Sequence, residues 1–150
     1  MIVNDGVSQV TYTGVIYPNY IDHMGHMNVQ FYVALFDQAT WILFDRVGLS
    51  LLYFTDHARG MAALEQHIHY RREVFAGTVV TISSETISVF DKTVRFRHIM
   101  RDHSEVAATC DMVGAHLDRV AHKAIPFPPH IHTNLVARST ASEDGPVTSP

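Results

Sequence analysis

The chain has 150 residues, 47% of them hydrophobic, which is enough for one buried core and too few for two ordinary domains. Its formal net charge of −4, from 15 acidic and 11 basic residues, gives no general attraction to nucleic acid or to an anionic membrane, so we expect neither as a partner. Cys110 is the one cysteine, which excludes an internal disulfide and a cysteine-based zinc cluster. With no apolar stretch of about 18 residues and no basic signal region at the start, we expect a cytoplasmic protein.

The first third of the chain predicts a strand, a loop and a long helix. Residues 10–17 are rich in β-branched and aromatic side chains, which favours a strand, and Pro18 closes it. Residues 29–47 are apolar on most helical faces, which predicts a largely buried helix. Asn28 is a suitable N-cap and Gly48 a suitable C-cap, so the expected helix is well bounded on both sides.

The middle of the chain predicts four further strands. Residues 49–60 are expected to be a connector with one irregular turn at most. The β-rich runs that follow lie at approximately 61–74, 78–90, 92–102 and 105–117 and are separated by turn residues. We expect these runs to form an antiparallel meander. The predicted class is therefore α+β, with an antiparallel five-stranded sheet wrapped around a long central helix.

The end of the chain has a different character. Three prolines fall within residues 126–129, and the last residues are small, polar and without periodicity. We therefore expect one domain at residues 1–133 and a disordered tail at 134–150.

Functional side chains are densest in the loop before the predicted helix, which contains Asp22, Gly25, His26 and Asn28. A helix N-terminus presents unpaired amides and partial positive charge, which suits the oxyanion formed when a thioester is attacked. Asp22 is placed to attack the carbonyl or to take a proton from water. Gly25, His26 and Asn28 would position the loop and the substrate. The alternative is a purely structural loop, in which Asp and Asn satisfy backbone amides.

Two motifs resemble one known family. The first runs Tyr17-Pro18…Asp22-x-x-Gly25-His26-x-Asn28…Tyr32. The second, softer one runs His69-Tyr70-Arg71-Arg72-Glu73-Val74 and is followed by Gly77. Together they resemble the 4-hydroxybenzoyl-CoA thioesterase-like branch of the hotdog superfamily over roughly residues 10–125. The helix and later strands are also similar to chains from carnitine-degrading pathways, which favours a betainyl-CoA thioesterase type.

The resemblance implies a hotdog fold and an acyl-CoA thioesterase that releases a free acid and CoA. It implies a homodimer or homotetramer that joins sheets edge to edge and binds CoA at the subunit interface. It also gives Asp22 the role of catalytic carboxylate, as nucleophile or general base, and the oxyanion hole to amides around Gly25 and His26. Some relatives carry a catalytic glutamate on the central helix, where this chain has Asp37 and Gln38, and this difference favours Asp22. We expect no cofactor and no bound metal.

Candidate ligand contacts come from two further groups of residues. Arg71 and Arg72 suit the CoA phosphates, because arginine binds phosphate in bidentate fashion, although an ordinary solvated pair explains them equally well. Tyr32, Phe36 and Trp41 have the helical spacing to line an acyl pocket, and core packing is the competing interpretation. Aromatic side chains accommodate an aromatic acyl group or, by cation–π contact, a quaternary ammonium group such as betaine.

Two other classes of protein compete with this prediction. A non-catalytic acyl-CoA-binding hotdog protein would bind CoA esters without turnover. A cupin-like metal protein is suggested by His67, His69 and Glu73, since two histidines two apart on a strand share a face, but the second half of that motif is missing. Strand histidines packed by Tyr70 and exposed to solvent are the preferred interpretation. A hotdog dehydratase is a lesser alternative. We expect Cys110 to lie in the core. We expect the histidines near the end of the chain to lie at the surface, namely His116, His122, His130 and His132.

Overall fold

The first strand and the long helix lie where the sequence predicts them. In the computed structural model, which describes residues 9–139, β1 spans Gln9–Val15 and α1 spans Val29–Val47. The side chain of Asn28 accepts a hydrogen bond from the amide of Gln30 at 3.0 Å, as an N-cap should. Gly48 ends α1 with a φ of 101°, a left-handed conformation that glycine adopts without strain. Both predicted caps are confirmed.

Two more helices and five more strands follow α1. The residues expected to form a connector contain a true helix, α2, at Leu51–His57, whose N-cap Ser50 accepts from the amide of Tyr53 at 3.2 Å. The remaining elements are β2 at Arg59–Tyr70, β3 at Val79–Val89, β4 at Thr93–Asp102, β5 at Glu105–Asp118, the short β6 at Lys123–Ala124, and α3 at Pro129–Val136. Within residues 9–139, no helix is both long enough and apolar enough to cross a membrane.

The main sheet is antiparallel with strand order β1-β3-β4-β5-β2, and β6 pairs with β5. The predicted meander is confirmed for β3, β4 and β5 and wrong for β2, which pairs with β5 instead of β3. Both edges of β3 are occupied, by β1 and β4. Residues 71–78 are also too long for a tight hairpin turn and run beside the loop before α1, where the amide of Met27 donates to the carbonyl of Val74 at 2.7 Å.

The core lies between α1 and the sheet. Phe36, Ala39 and Leu43 on the inner face of α1 are fully buried, and Ile82 and Phe96 from the sheet are buried with them. Burial of each large apolar side chain contributes roughly 1.5–3 kcal/mol, so this contact fixes α1 against the sheet. The start of α1, and with it the candidate loop, is held at one end of this layer.

The predicted end of the domain is too early. The boundary at 133 falls inside α3, and Ile131 and Leu135, four residues apart on that helix, are fully buried. The side chain of Asn134 donates to the carbonyl of Val47 at 3.0 Å, and Arg138 donates to the side chain of Gln9 at 2.6 Å. Residues 134–139 therefore belong to the domain, and the rest of the predicted tail, 140–150, lies outside the described residues.

A chain of buried polar side chains crosses the core beneath α1. His98 on β4 contacts Ser84 through Nδ1 at 2.5 Å and Thr40 of α1 through Nε2 at 2.8 Å. Ser84 in turn contacts Thr11 of β1 at 2.6 Å, and Thr40 donates to the carbonyl of Phe36 at 2.9 Å. Burial lowers the pKa of His98 from its ordinary 6.5 to about 3, so the imidazole is neutral in the folded protein.

We predict that His98→Gln flattens the acid dependence of stability. The unfolded chain takes up a proton at His98 near pH 6.5 while the folded protein resists protonation down to about pH 3. The stability due to this histidine is therefore complete above that range and falls with pH by about 1.4 kcal/mol per unit within it. Urea unfolding from pH 7 to 4.5 measures the slope. The exposed His130→Gln variant should keep the wild-type slope, and an unchanged slope in His98→Gln would contradict the account.

Candidate active site

Both carboxylate oxygens of Asp22 accept hydrogen bonds from their own loop. Oδ1 accepts from the amide of Met24 at 2.8 Å, and Oδ2 accepts from the side-chain amide of Asn28 at 2.7 Å. The backbone adds to this arrangement, because the amide of Asp22 donates to the carbonyl of His26 at 3.3 Å and that of Gly25 to the carbonyl of Asp22 at 3.0 Å. The loop therefore holds one partly exposed carboxylate in a fixed orientation beside the start of α1.

These contacts hold the pKa of Asp22 below its ordinary range. The hydrogen bond from the Met24 amide has the largest effect, followed by that from Asn28, and both favour the charged form. His23 and His26 add smaller effects in the same direction. Asp22 is therefore ionised at neutral pH, as both a nucleophile and a general base must be.

Gly25 shapes the loop through its conformation and not through closeness to another group. Its φ is +87°, and a Cβ built there would meet nothing within 4 Å. Its amide donates to the carbonyl of Asp22, so it is not free to bind an oxyanion as the sequence analysis expected. Within the described residues, the backbone N–H groups of His26 and Val29 have no hydrogen-bond partner in the protein. These two donors lie at the N-terminal end of α1, where the helix dipole adds positive potential.

A cleft of about 240 Å³ opens beside the loop, and His26, Val29 and Tyr32 line it together with residues 70–73. Nε2 of His26 lies 3.6 Å from a carboxylate oxygen of Glu73, and the hydroxyl of Tyr32 donates to the carbonyl of Arg72 at 3.2 Å. Asp22 does not itself line the cleft. It is joined to the cleft wall through its backbone bond to His26.

Arg71 and Arg72 both line this cleft. Such a position is necessary if they are to bind CoA there. Both side chains are exposed. Arg72 is 3.3 Å from the carboxylate of Glu105, an exposed ion pair of small energetic value, and Arg71 has its amide bound to the carbonyl of Ala107. The structure therefore brings together Asp22, Gly25, His26 and Asn28 in one loop, and the two arginines line the neighbouring cleft.

The structure does not place Glu73 with His67 and His69, as the metal-site alternative requires. His67 and His69 share a face of β2, with ring centroids 4.6 Å apart, but Glu73 lies beyond the end of that strand and beside His26. In the described part of the chain, no three His, Cys, Asp or Glu side chains are grouped to hold a metal ion.

The expectation that His116 lies at the surface is wrong. Its ring is buried, and it accepts at Nε2 from the hydroxyl of Tyr53 at 2.8 Å and donates from Nδ1 to the carbonyl of Ile125 at 3.1 Å. His122 and His130 are exposed as expected, and His132 is half-buried. The core position predicted for Cys110 is confirmed, and burial raises the pKa of its thiol to about 12, so it is no nucleophile.

The sequence pattern does not predict the roles of several residues near the site. Glu73 belongs to the second family motif and to the metal alternative, but neither predicts its pairing with His26, which depends on the path of residues 71–78. Val74 acts through its backbone, because its carbonyl accepts a hydrogen bond from the amide of Met27. Of the three α1 side chains with the spacing to line an acyl pocket, Phe36 is fully buried and Tyr32 nearly so, whereas Trp41 is 46% exposed. Core packing therefore explains Phe36, and Trp41 needs another explanation.

Comparisons with known proteins identify the family and the fold. A family model described as the thioesterase-like superfamily matches residues 16–135. The chain belongs to this superfamily. Its fold matches a hypothetical protein from Staphylococcus aureus in complex with CoA, with a TM-score of 0.82, 21% identity and coverage of 98% of this chain and 93% of that one. A thioesterase-type structure from Pseudomonas putida gives a TM-score of 0.74 at 24% identity, covering 95% and 94% of the two chains. The predicted hotdog fold and thioesterase family are confirmed.

Curated relatives share one activity name. The L-carnitine dehydrogenase/betainyl-CoA thioesterase of Agrobacterium fabrum is 30% identical over 131 residues, which are 85% of this chain and 26% of that protein. The chain thus spans about a quarter of this bifunctional relative. The betainyl-CoA thioesterase of Pseudomonas aeruginosa is 23% identical over 145 residues, covering 94% of this chain and 91% of the relative.

We predict that Asn28→Ala weakens the fold and raises the pKa of Asp22 together. The variant loses the N-cap of α1, which costs about 1 kcal/mol, and the donor that favours the charged carboxylate. Urea unfolding and an NMR titration of the Asp22 carboxyl carbon measure the two effects. Ser50→Ala, which removes the N-cap of α2, should lower stability and leave the Asp22 pKa where it is. An Asp22 pKa that is the same in Asn28→Ala and wild type would contradict the structure.

Proposed function

We propose that this protein is an acyl-CoA thioesterase and that Asp22 is its catalytic carboxylate. The observation that carries the proposal is the ionised side chain of Asp22, held by Met24 and Asn28 at the start of α1. Donors suited to an oxyanion, the amides of His26 and Val29, lie in the same loop and at the first turn of the helix. A carboxylate beside such donors is the minimum that thioester hydrolysis needs.

Hydrolysis of the thioester can proceed by either of two routes. In one, a carboxylate oxygen of Asp22 attacks the thioester carbon, the CoA thiolate leaves, and water hydrolyses the resulting mixed anhydride. In the other, Asp22 takes a proton from water as that water attacks the same carbon, and the thiolate again leaves. Both routes pass through a tetrahedral oxyanion that accepts hydrogen bonds from His26 and Val29, and both release a free acid and CoA.

The proposed contacts with the substrate lie at the cleft beside the loop. Arg71 and Arg72 are exposed beside the cleft, where their guanidinium groups can pair with CoA phosphates. Betainyl-CoA is the acyl-CoA we propose, because the Agrobacterium and Pseudomonas relatives carry that activity in their names.

We also propose that the active form is a homodimer or a larger even assembly. In the described sheet, β2 pairs on one side with β5, and its other edge carries no strand. Residues 63–67 of this edge are exposed, including Leu64 at 57%. An open edge of this length is a site for strand pairing, and a second copy of β2 satisfies it.

We predict that Asp22→Asn lowers kcat for thiol release from betainyl-CoA by about 10²-fold or more while acyl-CoA still binds. The matched control is Asp56→Asn, an exposed aspartate in α2 far along the chain from the loop, which should retain wild-type turnover. Free thiol is measured with a panel of aliphatic, aromatic and betaine-type acyl-CoAs. Binding of acyl-CoA by the wild type without any thiol release would reject the enzyme and favour a non-catalytic binding protein.

We predict that the double variant Arg71→Ala, Arg72→Ala raises KM for acyl-CoA about tenfold and changes kcat little. The arginines contact a part of CoA that does not react, so they bind ground state and transition state alike. The effect should weaken with added salt, as expected for exposed charges. Arg95→Ala, an exposed arginine on β4, is the control. A fall in kcat with constant KM would show that the pair does not serve as a phosphate clamp.

A further inference from the structure

Among the described residues that line the cleft beside the loop, Glu73 alone carries an acidic side chain. It follows the end of β2, and its carboxylate lies 3.6 Å from Nε2 of His26. The side chain of Glu73 is 63% exposed and that of His26 is 30% exposed, so the pair stands at the surface of the cleft. An exposed ion pair adds little to the stability of a fold. Its place beside a proposed oxyanion donor points to another role.

The backbone of His26 serves both halves of the proposed site. Its carbonyl accepts from the amide of Asp22 at 3.3 Å, and its own amide has no hydrogen-bond partner in the part of the chain that the structure describes. Under the proposed mechanism, that free amide donates to the oxyanion. A rotation of this one residue therefore turns away the oxyanion donor and loosens the backbone of the catalytic carboxylate.

The peptide that carries the His26 amide follows a glycine. Gly25 has a φ of +87°, and a Cβ built there would meet nothing within 4 Å, so no neighbouring group presses on the backbone at this point. The tip of the loop, residues 23–25, is exposed. Because glycine lets the adjoining peptide rotate at little cost, the direction of the His26 N–H depends on a restraint from outside the tip.

The segment that carries Glu73 is fixed beside the loop and can supply such a restraint. The carbonyl of Val74 accepts from the amide of Met27 at 2.7 Å, and the carbonyl of Arg72 accepts from a tyrosine hydroxyl of α1 at 3.2 Å. Glu73 stands between these two anchored residues, so its backbone has little freedom to move away from the loop.

We infer that Glu73 is a positioning residue, which holds the imidazole of His26 so that the backbone amide of His26 stays directed at the oxyanion. This inference rests on the proposed function. Within residues 9–139, the imidazole of His26 makes no hydrogen bond and no other ion pair, so Glu73 supplies the polar restraint on this ring. The carboxylate of Glu73 takes no part in the chemical step and acts through His26.

The restraint depends on charge. At 3.6 Å the two groups form an ion pair without a hydrogen bond, so their attraction requires an ionised Glu73 and a protonated His26. The other charged or titratable groups around this ring are Asp22 and His23 in its own loop, Arg71 and Arg72 at the cleft, and the Tyr32 hydroxyl of α1. The contribution of Glu73 is therefore largest at the acid end of the range in which histidine titrates and fades as the pH rises.

The first test compares Glu73→Gln with the wild type from about pH 5.5 to about pH 9, with the acyl-CoA that the wild type hydrolyses fastest. The variant keeps the size of the side chain and loses its charge. We expect kcat to fall about fivefold at the acid end and by less as the pH rises. KM should change little, because the oxyanion forms only in the transition state.

The matched control is Glu105→Gln. It removes the same charge from another exposed glutamate, one that lies 3.3 Å from Arg72, and it leaves the pair of Glu73 and His26 intact. Its kcat should equal that of the wild type at every pH.

The second test asks whether Glu73 acts through His26. His26→Asn keeps the backbone amide and removes the imidazole, and it is combined with Glu73→Gln in a double-mutant cycle at the acid end of the range. Glu73→Gln should lower kcat about fivefold in the wild type and have no further effect in the His26→Asn background. An equal loss in both backgrounds would show that Glu73 acts by another route and would overturn the inference.

The outcomes separate this inference from the proposed function. A kcat of Glu73→Gln that equals the wild type at every pH, or a loss that is the same at every pH, would overturn the inference and leave a thioesterase. A raised KM with an unchanged kcat would also overturn it and would show that Glu73 binds the substrate. A wild type that hydrolyses no acyl-CoA would reject both.

Discussion

The hydrogen bond from the side-chain amide of Asn28 to Asp22, at 2.7 Å, is the contact on which the site depends. Asn28 uses both ends of its amide, because its oxygen caps α1 by accepting from Gln30 while its nitrogen binds the carboxylate. The same side chain thus caps the helix and orients the carboxylate. The carbonyl of Val74 fixes the intervening Met27, so the loop has little freedom to move away from the helix start. Asp22 is consequently held ionised beside amides that can receive negative charge.

The sequence predicts the local parts of this arrangement well, because their determinants are local. Asn28 and Gly48 identify the ends of α1 by their own chemistry, and the loop residues lie within seven positions of each other. The pairing of β2 with β5 could not be found in this way, since a strand's preference for its neighbour or for a distant partner depends on packing of the whole sheet. The same limit applies to His116, whose burial requires Tyr53 and Ile125. It applies also to α3, which is stabilised by burial of Ile131 and Leu135 and not by its proline-rich sequence.

The long helix α1 joins the candidate site to the core. Its N-terminal end adjoins the loop that holds Asp22, and its inner face is committed to the core through Phe36 and Leu43. The position of the loop relative to the sheet is therefore set by the same packing that stabilises the fold.

The most direct test of the central claim is a crystal structure of the Asp22→Asn variant with unhydrolysed betainyl-CoA. The account predicts that the thioester carbonyl oxygen lies within hydrogen-bonding distance of the amides of His26 and Val29, with the side chain of residue 22 beside the carbonyl carbon. A thioester bound in another cavity, or with its carbonyl directed away from the start of α1, would contradict it.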